Sequence, residues 1–313
     1  MEMTAAVGFP PLSPRLQGRA DSMFGLPVEL ACEVDWLADE IASLLDPIQI
    51  DSLPETSGDR LSAPSRLHIT GSVRAYDQAD VLKHVSATAT RMPNARPGMN
   101  PMMELYQDEE RFWLVDDQWG MLEINLLKKS WRSWILPYPA LDLQRCAEWV
   151  ALWPLAQLLS GPELALLPAI SIVREGWGAV IFSPFKMEAE LEALCGDGFK
   201  VIGPRWSCLR EMAGEVRMPP FPHDGDTRES TRCDAVVMVE PSRRAVSRLD
   251  ELPRTLSLEA LRRHWPIIPL HRSRRQISVK LASQARCCEV QLSRQPGDLL
   301  KLVNALHARQ IRH

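Results

Sequence analysis

Seven cysteines, seven histidines and 40 carboxylates are the groups with which these 313 residues could hold a metal or attack a bond. Cys32, Cys146, Cys195, Cys208, Cys233, Cys287 and Cys288 are scattered and form no C-x-x-C pair, whereas a thiolate zinc site needs such spacing to close its ligands round one ion. They read as buried or idle thiols in a reducing compartment. His264 and His271 lie in LRRHWPIIPLHRSRR, where Pro266 and Pro269 break any helix that would put both rings on one face. His68, His84 and His223 lie far apart, and no Ser/His/Asp or Cys/His set is supported locally. Asp108, Glu109, Glu110, Asp116 and Asp117 could suit a cation, but they sit on or beside predicted hairpin turns, where carboxylates serve turn geometry and solubility. No catalytic residue, metal site or cofactor is therefore assigned.

Charge is unevenly spread. Residues 258–313 carry 11 Lys/Arg against 3 Asp/Glu, a net of +8 that leaves −12 for the first 257. Arg262, Arg263, Arg272, Arg274 and Arg275, with Lys280, concentrate the positive charge and are the candidates for meeting an acidic protein or peptide. The plainer reading is a solvated face that balances the acidic part of the same chain. Nucleic acid fits less well, because aromatic interleaving is slight there and the whole chain is at −4. Trp113, Trp119, Trp131, Trp134, Trp149 and Trp153 crowd into about 40 residues, and most of them are expected in a sheet–helix core.

The elements that would position these groups follow from periodicity. At 45% hydrophobic and 24% charged the chain has an ordinary globular composition, although 25 prolines against 16 glycines favour stiff connections over backbone cradles. No run of 18 apolar residues occurs and Glu2 opens the chain, so neither a membrane span nor a signal peptide is predicted, and a cytoplasmic location is expected. Residues 1–22 read as loose, Leu30 to Leu45 as an amphipathic helix, and 51–65 as a linker. Residues 103–136 alternate as an antiparallel meander with Asp116, Asp117 and Gly120 at a turn. A helix is expected from about Leu141 to Leu159, burying Cys146, Trp149, Val150, Trp153, Leu155 and Leu158. Beyond Gly161-Pro162, strands alternate with helices to the end of the chain, which predicts an α/β layer fold. The expected division is an irregular segment with one helix over 1–65, a meander plus helix over 66–160, and an α/β core over 161–313.

In that last part Leu167-Pro168-Ala169, Arg174-Glu175-Gly176, the apolar run Ala179 to Phe182, Ser183-Pro184, a helix through Leu194 and Gly198-Phe199-Lys200-Val201-Ile202 follow one another. With Glu289 to Leu292 and Asp298 to Val303 near the end, this order resembles the HPr kinase C-terminal superfamily, and especially the HPr kinase-related proteins found beside peptide-modification and other biosynthetic genes. The resemblance spans roughly residues 103–308 and rests on order more than on identities. It implies a fold in which the antiparallel meander leads into an HPr kinase-like, P-loop-related core with a mixed central sheet.

The positions that carry chemistry depart from that family. A phosphate loop reads G-x-x-x-x-G-K-[ST], so that backbone N–H groups turn inward, Lys meets the β/γ oxygens and the hydroxyl holds Mg²⁺. Here the stretch is Ser183-Pro184-Phe185-Lys186-Met187-Glu188, shortened and without glycine. The acidic pair expected after the next strand is replaced by Gly203-Pro204-Arg205-Trp206, and the family's histidine before alanine by Pro168. Phosphate positioning, metal and base are lost together, which predicts a pseudokinase acting as a binding or scaffolding component for a protein or peptide. The first alternative is an active ATP-dependent phosphotransferase with a rebuilt site, in which Lys186 and Arg205 hold phosphates and Glu188 or Asp197 serves metal or base. The second is a regulatory protein that binds an acidic partner or nucleic acid through the basic C-terminal arginines.

Overall fold

The computed structural model describes residues 16–23, 26–45, 69–75, 85–92, 104–109, 111–116, 120–135, 142–161, 163–219, 230–242, 246–264, 275–293, 295 and 297–311. These form two compact units, divided between Leu158 and Leu159.

The first unit is a sheet with helices on one face. Its strands are β1 (Leu16–Met23), β2 (Leu26–Cys32), β3 (Ile69–Ala75), β4 (Thr90–Met92), β5 (Glu104–Asp108), β6 (Arg111–Asp116), β7 (Gly120–Asn125) and β8 (Ser130–Ile135), in spatial order β1-β2-β3-β8-β7-β6-β5-β4. The predicted meander is β5 to β8, paired antiparallel in sequence order. Its alternation sends Phe112, Leu114, Leu122, Ile124 and Trp131 to one buried face. Sequence and structure differ at the N-terminal side. Strands β1 and β2 stand where a loose segment and the start of a helix are predicted, because residues 28–32 complete a parallel ladder with β3. The helix α1 consequently starts only at Asp35 and runs to Leu45, burying Leu37, Ala38 and Ile41.

The second expected helix is α2 (Leu143–Ala147), a π-helical turn over Glu148–Leu152, and α3 (Trp153–Leu159). Pro154 explains the turn: it has no N–H to give the carbonyl four residues back, Val150, and its ring crowds that oxygen. The tertiary structure meets the freed carbonyl, since Val150 O accepts from Trp131 Nε1 at 2.9 Å and Ser133 Oγ at 2.8 Å. Cys146, Trp149, Val150, Leu155 and Leu158 are buried as expected, while Trp153 is half-buried. Trp113, Trp131 and Trp134 are also core, and Trp119 lies outside the described residues.

The second unit is an α/β fold with a mixed central sheet. Its elements are β9 (Leu164–Leu167), β10 (Ile170–Arg174), β11 (Trp177–Phe182), α4 (Glu188–Gly196), β12 (Lys200–Gly203), β13 (Ser207–Met212), β14 (Glu215–Met218), β15 (Thr231–Arg232), β16 (Ala235–Pro241), β17 (Arg248–Glu251), α5 (Arg254–His264), α6 (Arg275–Gln284), β18 (Arg286–Leu292) and α7 (Asp298–Ile311). The central order is β12-β10-β11-β16-β18-β17, with β11, β16 and β18 parallel and the others antiparallel. Every residue of β11 is buried, as the unbroken apolar run of an inner strand requires. Val180, Phe182, Val236 and Met238 pack with the smaller sheet of β13 and β14 and with Leu261 of α5 and Ile277 and Leu281 of α6. Ala179, Ile181, Val237 and Val239, on the opposite face, pack with Leu194 of α4 and Leu299, Val303 and Leu306 of α7.

Burial also settles the thiols. Six of the seven cysteines are buried and free, and Cys195 is exposed. Burial pushes Cys146 and Cys288 up to about 12 and Cys287 to about 11, far from the thiolate form at neutral pH. One fast-reacting thiol is therefore expected per native chain with a disulfide reagent, and seven in denaturant. Two or more fast thiols before unfolding would contradict this packing.

Candidate functional site

Antiparallel and parallel registers bring the chemistry-bearing turns to one edge of the central sheet. Ile170 pairs with Ile181, and Ser171 with Gly203. The turn holding Pro168, the segment 183–188 and the turn holding Pro204 and Arg205 thus all sit at the C-terminal end of β11. This is the edge where open α/β sheets place their ligands. Pro168 is half-buried, with Ala169 N–H donating across it to Leu167 O at 2.9 Å; Pro204 is exposed and Arg205 half-buried.

Between β11 and α4 the chain makes a closed turn. Ser183 Oγ donates to Phe185 O at 2.9 Å and accepts from Phe185 N–H at 3.3 Å. The backbone donor at the centre of the loop is thereby spent on the loop's own hydroxyl, which a Ser two residues earlier does readily. The Phe185 side chain is half-buried and packs on the same core as α4 and α7, and Met187 is buried there. Phosphate loops do the reverse, with small residues outside and N–H groups turned in.

Charge points the same way. Met187 occupies the N-cap of α4 without a side-chain cap, and Glu188 and Glu190 supply negative charge in the first turn. That suits the helix dipole and opposes an incoming polyphosphate. Lys186 is 61% exposed and lies 3.9 Å from Glu188, itself 81% exposed, so the pair is solvated and weak.

Asp197 belongs to the other end of α4. Its Oδ2 accepts from Arg174 Nη1 at 2.9 Å and Asn304 Nδ2 at 2.8 Å, and the Arg174 guanidinium lies 5.1 Å from the centre of the Phe199 ring. The nine residues of α4, about 13 Å at 1.5 Å per residue, separate it from Lys186. The structure therefore does not bring Asp197 together with Lys186, and of the two carboxylates considered for a rebuilt phosphotransfer site it places Glu188 beside that lysine.

The basic candidates stand elsewhere. Arg262 and Arg263 are on α5 and Arg275 opens α6, with side chains outside the described set; Arg272 and Arg274 lie wholly outside it. Lys280, counted with them from the sequence, forms an ion pair with Glu211, so α6 spends this charge on fastening β13. Among the described residues no three His, Cys, Asp or Glu side chains gather as a metal would need.

Sequence reasoning missed one polar cluster at the end of β18. Asp298 Oδ2 accepts from Ser293 Oγ at 2.6 Å and Ser247 Oγ at 2.7 Å, and Oδ1 from Lys301 Nζ at 3.1 Å. Ser247 Oγ also accepts from Ser293 N–H at 2.7 Å. These bonds join the start of β17, the end of β18 and the first turn of α7. The hydrogen bonds from Ser293 and Ser247, then Lys301, hold the carboxyl at about 2 instead of 3.8. A value depressed by folding means the contribution is full above about pH 4 and fades as pH falls toward 2. Asp298→Asn is expected to lower stability at pH 7 and to flatten the loss of stability between pH 4 and 2, as read by thermal unfolding. An unchanged acid limb would contradict the assignment.

No protein-family description matches the chain, and no curated protein matches it as a relative.

Proposed function

We propose that this chain is a non-catalytic, HPr kinase-like protein, a pseudokinase that binds or scaffolds a protein or peptide within a biosynthetic or peptide-modification pathway. The order of a hairpin, an inner strand, a loop, a helix and an edge strand, with β11 parallel to β16, supports the likeness. One observation carries the non-catalytic part: the turn after β11 closes on itself through Ser183 and Phe185 and presents no glycine. Losing one positioned donor for a developing charge costs about 3 kcal/mol of transition-state stabilisation, roughly a hundredfold in rate. In this turn the central donor, the Phe185 N–H, is already taken by Ser183, and no glycine lets the backbone turn another inward. Seven free cysteines accord with a cytoplasmic location.

Phosphate release from ATP with Mg²⁺ tests the reading. The chain is expected to match the protein-free blank, and Lys186→Ala to change nothing. Release that Lys186→Ala abolishes would instead establish a site on this chain that cleaves ATP, and the non-catalytic reading would fall.

A further inference from the structure

We draw no further inference here: the strongest candidate, the surface patch on α1 where Trp36 is exposed beside Asp39, carries nothing because nothing in the structure shows what covers it.

Discussion

Replacing Gly178 by alanine is expected to destabilise the second unit by about 3 kcal/mol, the upper end of what overpacking a filled core costs. Gly178 lies in β11, the strand that leads into the candidate site. A methyl group there would overlap Met218 Cε and come within 2.5 Å of Arg232 O. The methionine can bend away, but the carbonyl belongs to β15 and moves only with its backbone. Gly178 is also held by Asp234 through both of its backbone polar groups, its N–H donating to Asp234 Oδ2 at 3.2 Å and its carbonyl accepting from Asp234 N–H at 2.8 Å. The strand cannot retreat without breaking that clamp. Amide exchange over β11, β16 and β18 should accelerate about a hundredfold, the equivalent of this energy. Unchanged exchange there would show that β15 yields freely.

Gly71→Ala is the matching change in the first unit, with an expected cost of about 2–3 kcal/mol. Gly71 pairs with Trp131 across β3 and β8, and an added methyl would overlap the indole ring. That ring is buried and its N–H is tied to Val150 O. Moving it removes one of two donors from a carbonyl that Pro154 has already deprived of its helical partner, so overpacking and a weakened hydrogen bond add. Exchange over β3 and β8 is expected to rise roughly thirty- to a hundredfold, the equivalent of this energy, while β11 is unaffected. Equal acceleration in both units would contradict the local explanation.

How far the sequence reveals this molecule depends on where the deciding partner sits. Strands β5 to β8 are legible because their alternation is local and because Asp116, Asp117 and Gly120 mark the turn between β6 and β7. The inner strand β11 is legible as an unbroken apolar run. Strands β1 and β2 are not, because their ladder depends on β3, which follows a long intervening segment. Hairpin β13–β14 turns through Ala213 and Gly214, both at positive φ (52° and 85°); the glycine is a turn signal, but the alanine beside it is not a residue type expected there. Helix α6 is amphipathic only around Ile277 and Leu281, after a basic start that reads as surface.

The candidate site divides in the same way. The absence of glycine between Ser183 and Glu188 is a sequence fact. That Ser183 occupies the Phe185 N–H, and that Phe185 is packed on the core, needs the folded turn. The cluster round Asp298 escapes inspection because Ser247, 51 residues away in sequence, reaches it only when β17 pairs with β18, while Ser293 and Lys301 read as ordinary polar residues flanking a helix start.

A calorimetric titration of the full chain with ATP and Mg²⁺ tests the self-closed turn most directly. No saturable heat is expected up to millimolar nucleotide, with Lys186→Ala giving the same trace. Saturable binding at micromolar nucleotide, weakened by Lys186→Ala, would mean that the turn opens to receive phosphate, which contradicts the self-closed turn on which the non-catalytic reading rests.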